Sequence, residues 1–428
     1  MAQLSAILYT TMRTNHLSVA IVLDDKFPSA SGVSRSIQTQ IEELTQLGHH
    51  VTLIAPQTDL EAPEHATVVP VASFRFPGLP LHTRIIYASR RVARAISQEH
   101  HFDIIHSQTD TGALLLAAKI AQAQRIPHIH TFHTNMAGSH TMPVPTFFAS
   151  LGFRLCALLT ARIHQRHLHS QHAAAPQLAS ENWIGQFDWR TQAIIARAVD
   201  ASTTPSHYMS AYIRAATHGV DLPGAIIPTG YNRTFEAYAQ ATQRQRQNDD
   251  GKIRFITISR LVKEKRLDVI IQAFQQAAIP QSELYIVGDG AESKRLARLA
   301  QGSPNIIFTG HVGGRKAIVQ LLRDADVFVL ASYRFDNQPI VIPESLVVGV
   351  PILYCDDRLD VGLNQGNSLL VQPDTASLAA GMQRIAEPAY HQQLVDGTKS
   401  VLTELSPQAT ATAYAQLYQQ VIEQYHKR

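Results

Sequence analysis

Two carboxylates eight positions apart, Asp336 and Glu344, follow an apolar run and flank the segment 337–343. Within it Pro343 must fall in the first turn of any helix, because proline has no N–H and is tolerated only where none is needed. The N–H groups of Ile340 to Ile342 would then point out of the helix start, a place for a phosphate or another anion. Carboxylates beside such a place cannot serve the anion. They suit sugar hydroxyls, which donate hydrogen bonds and carry no charge. Taken alone, the stretch reads equally as an acid-rich helix start in which Glu344 favours the dipole. Two cations, Arg260 and Lys265, stand at a comparable place earlier in the chain. Arg supplies a planar fork and Lys a point charge, so together they can neutralise a diphosphate without a metal. Solvated surface cations are the plain alternative.

Groups that converge need rigid elements to carry them. The run 327–331 (VFVLA) reads as a buried parallel strand, followed by a loop with Asp336 and Gln338 and a helix with Glu344. The run 254–258 (RFITI) is a second such strand, and its loop holds Arg260 and Lys265 before a helix at 267–276. Strands at 283–287, 305–309 and 350–355 and helices at 294–300 and 375–385 complete this half. The first half repeats the pattern: strand 18–23, a loop with Gly32, helix 35–47 closed by Gly48, strand 50–55. Strand 66–69, helix 84–98, strand 102–106, helix 112–124 and strand 127–133 follow, the last ending on His133. Such alternation gives parallel sheets covered on both faces, with ligands outside the carboxyl ends of the strands. Gly32, His106 and His133 fall there. A glycine lets backbone approach a ligand closely, and a plain tight turn needs one equally. Among 21 histidines most serve surface or core, so His106 is read as structural and His133 as functional.

The totals set bounds. A chain of 428 residues, 45% hydrophobic and 17% charged, is globular and too long for one ordinary core, so two domains are expected. A net charge of +3 with scattered Lys and Arg does not argue for nucleic acid. Cys156 and Cys355 have no metal-ligand spacing and read as reduced, buried thiols of a cytosolic protein. Residues 1–16 lack the charged start and apolar core of a signal peptide and read as a leader. No run reaches the ~18 apolar residues of a membrane span.

The rhythm breaks at 135–190. Phe147, Phe148, Leu151, Leu155, Leu158 and Leu159 share one helical face, and Arg162 and Arg166 continue its direction. A stripe that ends in arginines can lie on an anionic membrane surface through residues 147–166, or pack on the domain's own core. The polar segment 164–183 reads as a loop. Residues 235–252, rich in Gln, Arg, Asn and Asp, read as the linker. The division expected is 17–234, 250–408, and a C-terminal helix at 409–428 that can cross back to the first domain.

The residues SRLVKEKRLDVIIQAF, IVGDGAESKRL, IIFTGHV, DADVFVLASYRFDNQPIVIPESL, GVPILYC, TFHT and IIPTGY resemble the family-4 retaining glycosyltransferases. The resemblance runs through 18–385. It implies the GT-B fold: α/β, two Rossmann-like doubly wound domains facing across a cleft. It implies a donor that is a nucleoside diphosphate sugar, with UDP-glucose expected, and no required cofactor or metal. By the same resemblance Arg260 and Lys265 would bind the diphosphate and Glu344 the ribose hydroxyls. Asp336 stands where the family has the first Glu of its E-x7-E motif, against the transferred sugar. Gln338, Pro339, Ile340 and Val341 would place backbone N–H groups near sugar and phosphate. Gly288 and Val312 would lie by the base, His133 by the sugar's 6-hydroxyl and Gly32 by the phosphates.

Several positions depart from the family pattern. Ser31-Gly32 replaces paired glycines, Ser259 and Arg266 replace single ones, and Asp336 is one methylene shorter than Glu. The TFHT and FDNQP pieces look most like the bacterial branch that glucosylates diacylglycerol. That implies a membrane lipid as acceptor and a cytoplasmic protein held at the inner face of the cell membrane. A transferase acting on a soluble or cell-wall glycan stays open at this point. So do an epimerase and a non-catalytic protein that binds glycan or a partner.

Overall fold

The computed structural model describes residues 16–29, 31–58, 66–75, 82–137, 143–166, 178, 181–217, 222–245 and 251–428, with side chains from 148 onward in the helix that begins at 143. Residues 1–15 of the leader expected at 1–16, the Phe147 side chain and most of the polar segment 164–183 lie outside the described residues.

The first half runs β1 (Ser18–Val22), α1 (Gly32–Gln46), β2 (His50–Pro56), β3 (Thr67–Val71), β4 (Ser73–Phe74), β5 (Ile85–Ile86), α2 (Arg90–Glu99) and β6 (Ile104–Ser107). It continues with α3 (Gly112–Gln124), β7 (His128–Thr131), α4 (Pro143–Ile163), α5 (Trp183–Ala198), β8 (Ala201–Thr204), α6 (His207–Ala216), β9 (Gly224–Ile226) and α7 (Arg233–Ala241). The second half runs β10 (Ile253–Ile258), α8 (Leu267–Ala277), β11 (Ser282–Val287), α9 (Ser293–Leu299), β12 (Ile306–Gly310), α10 (Arg315–Asp324) and β13 (Val327–Leu330). Then come α11 (Val341–Val348), β14 (Ile352–Tyr354), β15 (Ser368–Leu370), α12 (Thr375–Ile385), α13 (Pro388–Gly397) and α14 (Pro407–His426).

Two parallel sheets result. Their strand orders are β3-β2-β1-β6-β7-β8-β9 and β12-β11-β10-β13-β14-β15. Both place the first strand of the unit in the interior and reverse direction beside it, so each has a switch point, at β1/β6 and at β10/β13. Alternate residues of β1 serve opposite faces: Val19 and Ile21 join one apolar cluster, Ala20 and Val22 another. The second sheet is likewise covered on both sides, Phe255 facing one cluster and Ile256 the other.

Four expectations change. Helix 84–98 begins only at Arg90, because Ile85 and Ile86 form the short antiparallel β5 against β4. Helix α1 begins at Gly32, three residues early, since Ser31 caps it by accepting the Ser34 N–H. Strand β7 stops at Thr131, which leaves His133 in the loop beyond. The linker expected at 235–252 overlaps α7, whose Phe235 and Ala239, one turn apart, pack into the second domain's core. Chain direction and packing therefore part company at both crossings. Helix α14 returns to the first sheet, burying Ala411, Tyr414, Leu417, Tyr418 and Val421 against the β1 side.

Helix α4 is exposed along Phe148, Leu151, Leu155, Leu158 and Leu159, while Phe153, Ala157 and Ala161 face inward. The stripe thus lies on the face turned away from the core that Phe153 and Ala157 join. Arg166 is not free to reach lipid: its guanidinium holds the Asp200 carboxylate at 2.9 Å, which Arg428 of the C-terminal helix region also grips at 3.0 Å. Cys355 is buried and Cys156 only half-buried, both as free thiols. Among the described residues no helix is long and apolar enough to cross a membrane.

Candidate active site

The loops after β10 and β13 meet at the switch point of the second sheet. Arg260, two residues beyond β10, is exposed. A 3-10 turn at Lys263–Lys265 follows and turns Lys265 inward. Its ammonium lies 2.6 and 2.9 Å from the two Asp336 oxygens and 5.4 Å from the centre of the Phe335 ring. Only 14% of the Lys265 side chain and 12% of that of Asp336 reach solvent. The cation predicted for phosphate and the carboxylate predicted for sugar are therefore one ion pair.

Arg266 takes the left-handed conformation at φ 49° that a glycine would adopt without strain. Its guanidinium secures the residue by donating to the carbonyls of Pro373 at 2.6 Å and Ala331 at 3.3 Å. Gly288, at φ 134°, is required: a Cβ there would lie 1.9 Å from the Ser259 carbonyl oxygen. That close approach braces the Arg260 loop on the loop after β11. Val312 is half-buried and packs on one face of the second core.

Pro343 is the third residue of α11, in its first turn. The anion site is narrower than predicted, however. The Ile342 N–H is taken by the Pro339 carbonyl at 3.0 Å, and Pro339 has no N–H to offer. The amides of Ile340 and Val341 make no backbone hydrogen bond among the described residues. Glu344, on the same turn, is buried, and its Oε1 meets Arg35 Nη1 of the first domain at 3.1 Å. Burial pushes its carboxyl up to about 7, and the opposing pull of Arg35 and Arg315 does not cancel this.

On the facing domain Gly32 is the exposed first residue of α1, and among the described residues nothing beyond its chain neighbours and its own helix backbone comes within 4 Å of the place a Cβ would occupy. Ser31 links it to the strand end by donating to Asp25 Oδ2 at 2.9 Å. His133 Nε2 lies 2.7 Å from Gln108 Oε1, while Gln108 Nε2 donates to Gln40 at 2.9 Å. That chain of amides makes Nε2 the protonated nitrogen and leaves Nδ1 as an acceptor. Burial, helped by His130, pulls the His133 imidazole down to about 3, so it is neutral at ordinary pH. His106 is fully buried between the Tyr418 hydroxyl at 2.7 Å and Thr131 Oγ1 at 2.6 Å.

Gln338 has a side-chain role besides the backbone N–H expected of it. Its side chain crosses to the first domain, and both ends of the amide engage the Thr229 main chain, at 2.6 and 3.1 Å. Three residues that the sequence reading did not single out belong to the same region: Arg35, Asn337 and Gln108. Arg35 carried a signal in principle, as a cation one turn into a helix that starts at a strand's carboxyl end. Asn337 and Gln108 carried none, since their partners, main-chain carbonyls and the Ser206 hydroxyl for one and the Gln40 amide and His133 ring for the other, are distant in sequence.

Two family models cover most of the chain. Glycosyltransferase Family 4 matches residues 30–235, and Glycosyl transferases group 1 matches 252–388. An alpha-monoglucosyldiacylglycerol synthase of Streptococcus pneumoniae is 23% identical over 79% of this chain and 70% of its own length. A GDP-mannose-dependent alpha-mannosyltransferase of Mycobacterium tuberculosis is 28% identical over 79% of each. Among solved structures, sucrose-phosphate synthase from Thermosynechococcus elongatus aligns with a TM-score of 0.68 at 19% identity, over 95% of this chain and 99% of that one. Anabaena HepE in complex with UDP aligns at 0.64 and 16% identity, over 96% and 100%. These likenesses show the fold. With the two family domains and named transferases among the relatives, a non-catalytic role gives way, and the chain belongs to glycosyltransferase family 4, an enzyme of GT-B fold.

Proposed function

We propose that this glycosyltransferase moves glucose from UDP-glucose to a hydroxyl of a diacylglycerol-type lipid, with retained configuration. The observation that carries the lipid acceptor is the exposed apolar stripe of α4, from Phe148 to Leu159. Five large apolar side chains in one line on a soluble face are costly unless an apolar phase covers them. Arg162, exposed one turn beyond, supplies a cation for the headgroup layer. The lipid-glucosylating relative supports the same acceptor class.

In this reading the donor diphosphate lies against Arg260, Lys265 and the free amides of Ile340 and Val341. Glu344 accepts from the ribose hydroxyls and Asp336 from the hexose. Neutral His133 receives a sugar hydroxyl at Nδ1, and Gly32 leaves room for the phosphates. Gly288 and Val312 border the base. The bond from C1 to the leaving phosphate oxygen breaks while the acceptor oxygen bonds C1 on the same face. The leaving diphosphate takes the acceptor's proton. Fixed charges that strengthen as the leaving group becomes anionic lower the barrier, each by about 3 kcal/mol. The reading calls on no metal or other cofactor, and the protein works at the inner face of the membrane.

A second donor has support of its own, since the mannosyltransferase relatives are named for GDP-mannose. The test is nucleoside diphosphate release from UDP-glucose and from GDP-mannose, with and without vesicles of diacylglycerol and anionic phospholipid. UDP release that requires the vesicles is expected. Release from GDP-mannose alone, or release indifferent to vesicles, overturns the proposal.

A further inference from the structure

Segment 334–338, which carries Asp336, is fastened to the opposite domain at nearly every residue. Asn337 is buried and donates through Nδ2 to the carbonyls of Phe132 at 3.1 Å and His133 at 3.3 Å, while its Oδ1 pairs with the Ser206 hydroxyl. Gln338 clasps the Thr229 main chain with both ends of its amide. The Tyr208 hydroxyl donates to the Asp336 carbonyl at 3.0 Å, and Asn135 to the Arg334 carbonyl at 3.3 Å. From its own domain the segment is held by Asp356, which accepts the Arg334 N–H at 2.6 Å, and by Lys265 on the Asp336 carboxylate.

Two adjacent primary amides facing another domain have a specific meaning. A buried amide is stable only when its donors and acceptors are met. Here the partners are main-chain groups beyond β7 and β9 and a hydroxyl at the start of α6, all in the first domain. If the domains part, both amides must find water, and Asp336 loses the anchors on its own carbonyl and on the next two residues. Holding the loop within its own domain would not need these amides.

We infer that Asn337 and Gln338 are positioning residues that transmit closure of the cleft to Asp336. The Asp336–Lys265 pair takes its working geometry only while the two amides are engaged. An open enzyme can load a nucleotide on the second domain but does not fix the hexose, so the sugar is not presented to water before the acceptor side is in place. The consequence for catalysis rests on the proposed contact between Asp336 and the donor sugar; the clasp itself does not.

The test reads the clasp and the chemistry separately. Hydrogen exchange at the Thr229 amide and the radius of gyration by X-ray scattering are measured on the unliganded protein, for the parent, Gln338→Ala and Asn337→Gly. Gln338 is only half-buried, so Gln338→Ala keeps the test available should the buried site not tolerate glycine. Expected are at least tenfold faster Thr229 exchange in Gln338→Ala and a larger radius in both variants. In turnover, kcat falls at least tenfold while the dissociation constant for UDP stays within threefold. Unchanged exchange and radius overturn the clasp. Weakened UDP binding with unchanged kcat overturns the positioning role, because the residues would then be donor ligands. A parent that binds no UDP refutes the donor reading, and the exchange result then decides the clasp alone.

Discussion

Replacing Lys265 by alanine removes two things at once: a cation at the strand-end anion site and the ionic partner of Asp336, at 2.6 Å. With the ion pair seven-eighths shielded from water, the charge acts in a preorganised setting where one fixed donor contributes about 3 kcal/mol to the transition state. At 1.36 kcal/mol per decade that is about two decades of kcat. The assay is the initial rate of nucleoside diphosphate release at saturating donor, with urea unfolding to confirm that the variant is folded. The double variant Lys265→Ala/Asp336→Ala separates the two losses. If Lys265 faces the diphosphate, the double variant falls well below Asp336→Ala alone, by about the same two decades. If Lys265 merely props Asp336, the double and the single Asp336 variant turn over alike. A Lys265→Ala enzyme within about fivefold of the parent would refute the electrostatic reasoning altogether.

Other expectations follow from the same geometry. With the Glu344 carboxyl raised to about 7, kcat/KM for the donor should fall about tenfold per pH unit below 7, as protonation removes an acceptor the ribose needs, and Glu344→Gln should abolish that limb. The folded value lies above the ordinary glutamate value of 4.5, so this group's stabilisation is present below about 4.5 and lost as pH rises through 7. Glu344→Gln should therefore gain stability relative to the parent between pH 5 and 8, and no gain in urea unfolding would count against the buried carboxylate. Arg266→Ala keeps the left-handed backbone and loses two hydrogen bonds, so it should cost about 2–3 kcal/mol. Arg266→Gly should recover about 1 kcal/mol of that, and equal midpoints for the two would deny the strain. Phe148→Ser with Leu155→Ser should weaken binding to anionic vesicles about 100-fold, at about 1.5 kcal/mol for each apolar side chain withdrawn from lipid. Unchanged sedimentation with vesicles would remove α4 from the membrane surface.

The architecture was legible because its signals are local. The run at Val327–Leu330 is apolar throughout, as a strand buried on both faces must be, and Pro343 allows few starting points for the helix after it. Helix α7 was illegible for the opposite reason. Only Phe235 and Ala239 are fully buried in it, and its other positions are polar enough to pass for a linker. The site was legible as a set of residue types at strand ends, but not as a set of pairings. Lys265 and Asp336 are 71 positions apart and Arg35 and Glu344 are 309 apart, and no periodicity joins such residues. Gln338 could be placed on its loop, yet its side-chain direction is decided by a main-chain partner in another domain.

The crossing of α7 and α14 bears on how such enzymes can be recombined. Cutting between 245 and 251 and grafting a donor half from another transferase would strip α7 from the core it completes and bring a foreign α14 against β1. The Gln40 and His106 contacts of Tyr418 would then have to be met by a stranger. A chimera with altered donor preference should instead be joined ahead of Arg233 and again ahead of Pro407, so that each lobe keeps the helix that seals it.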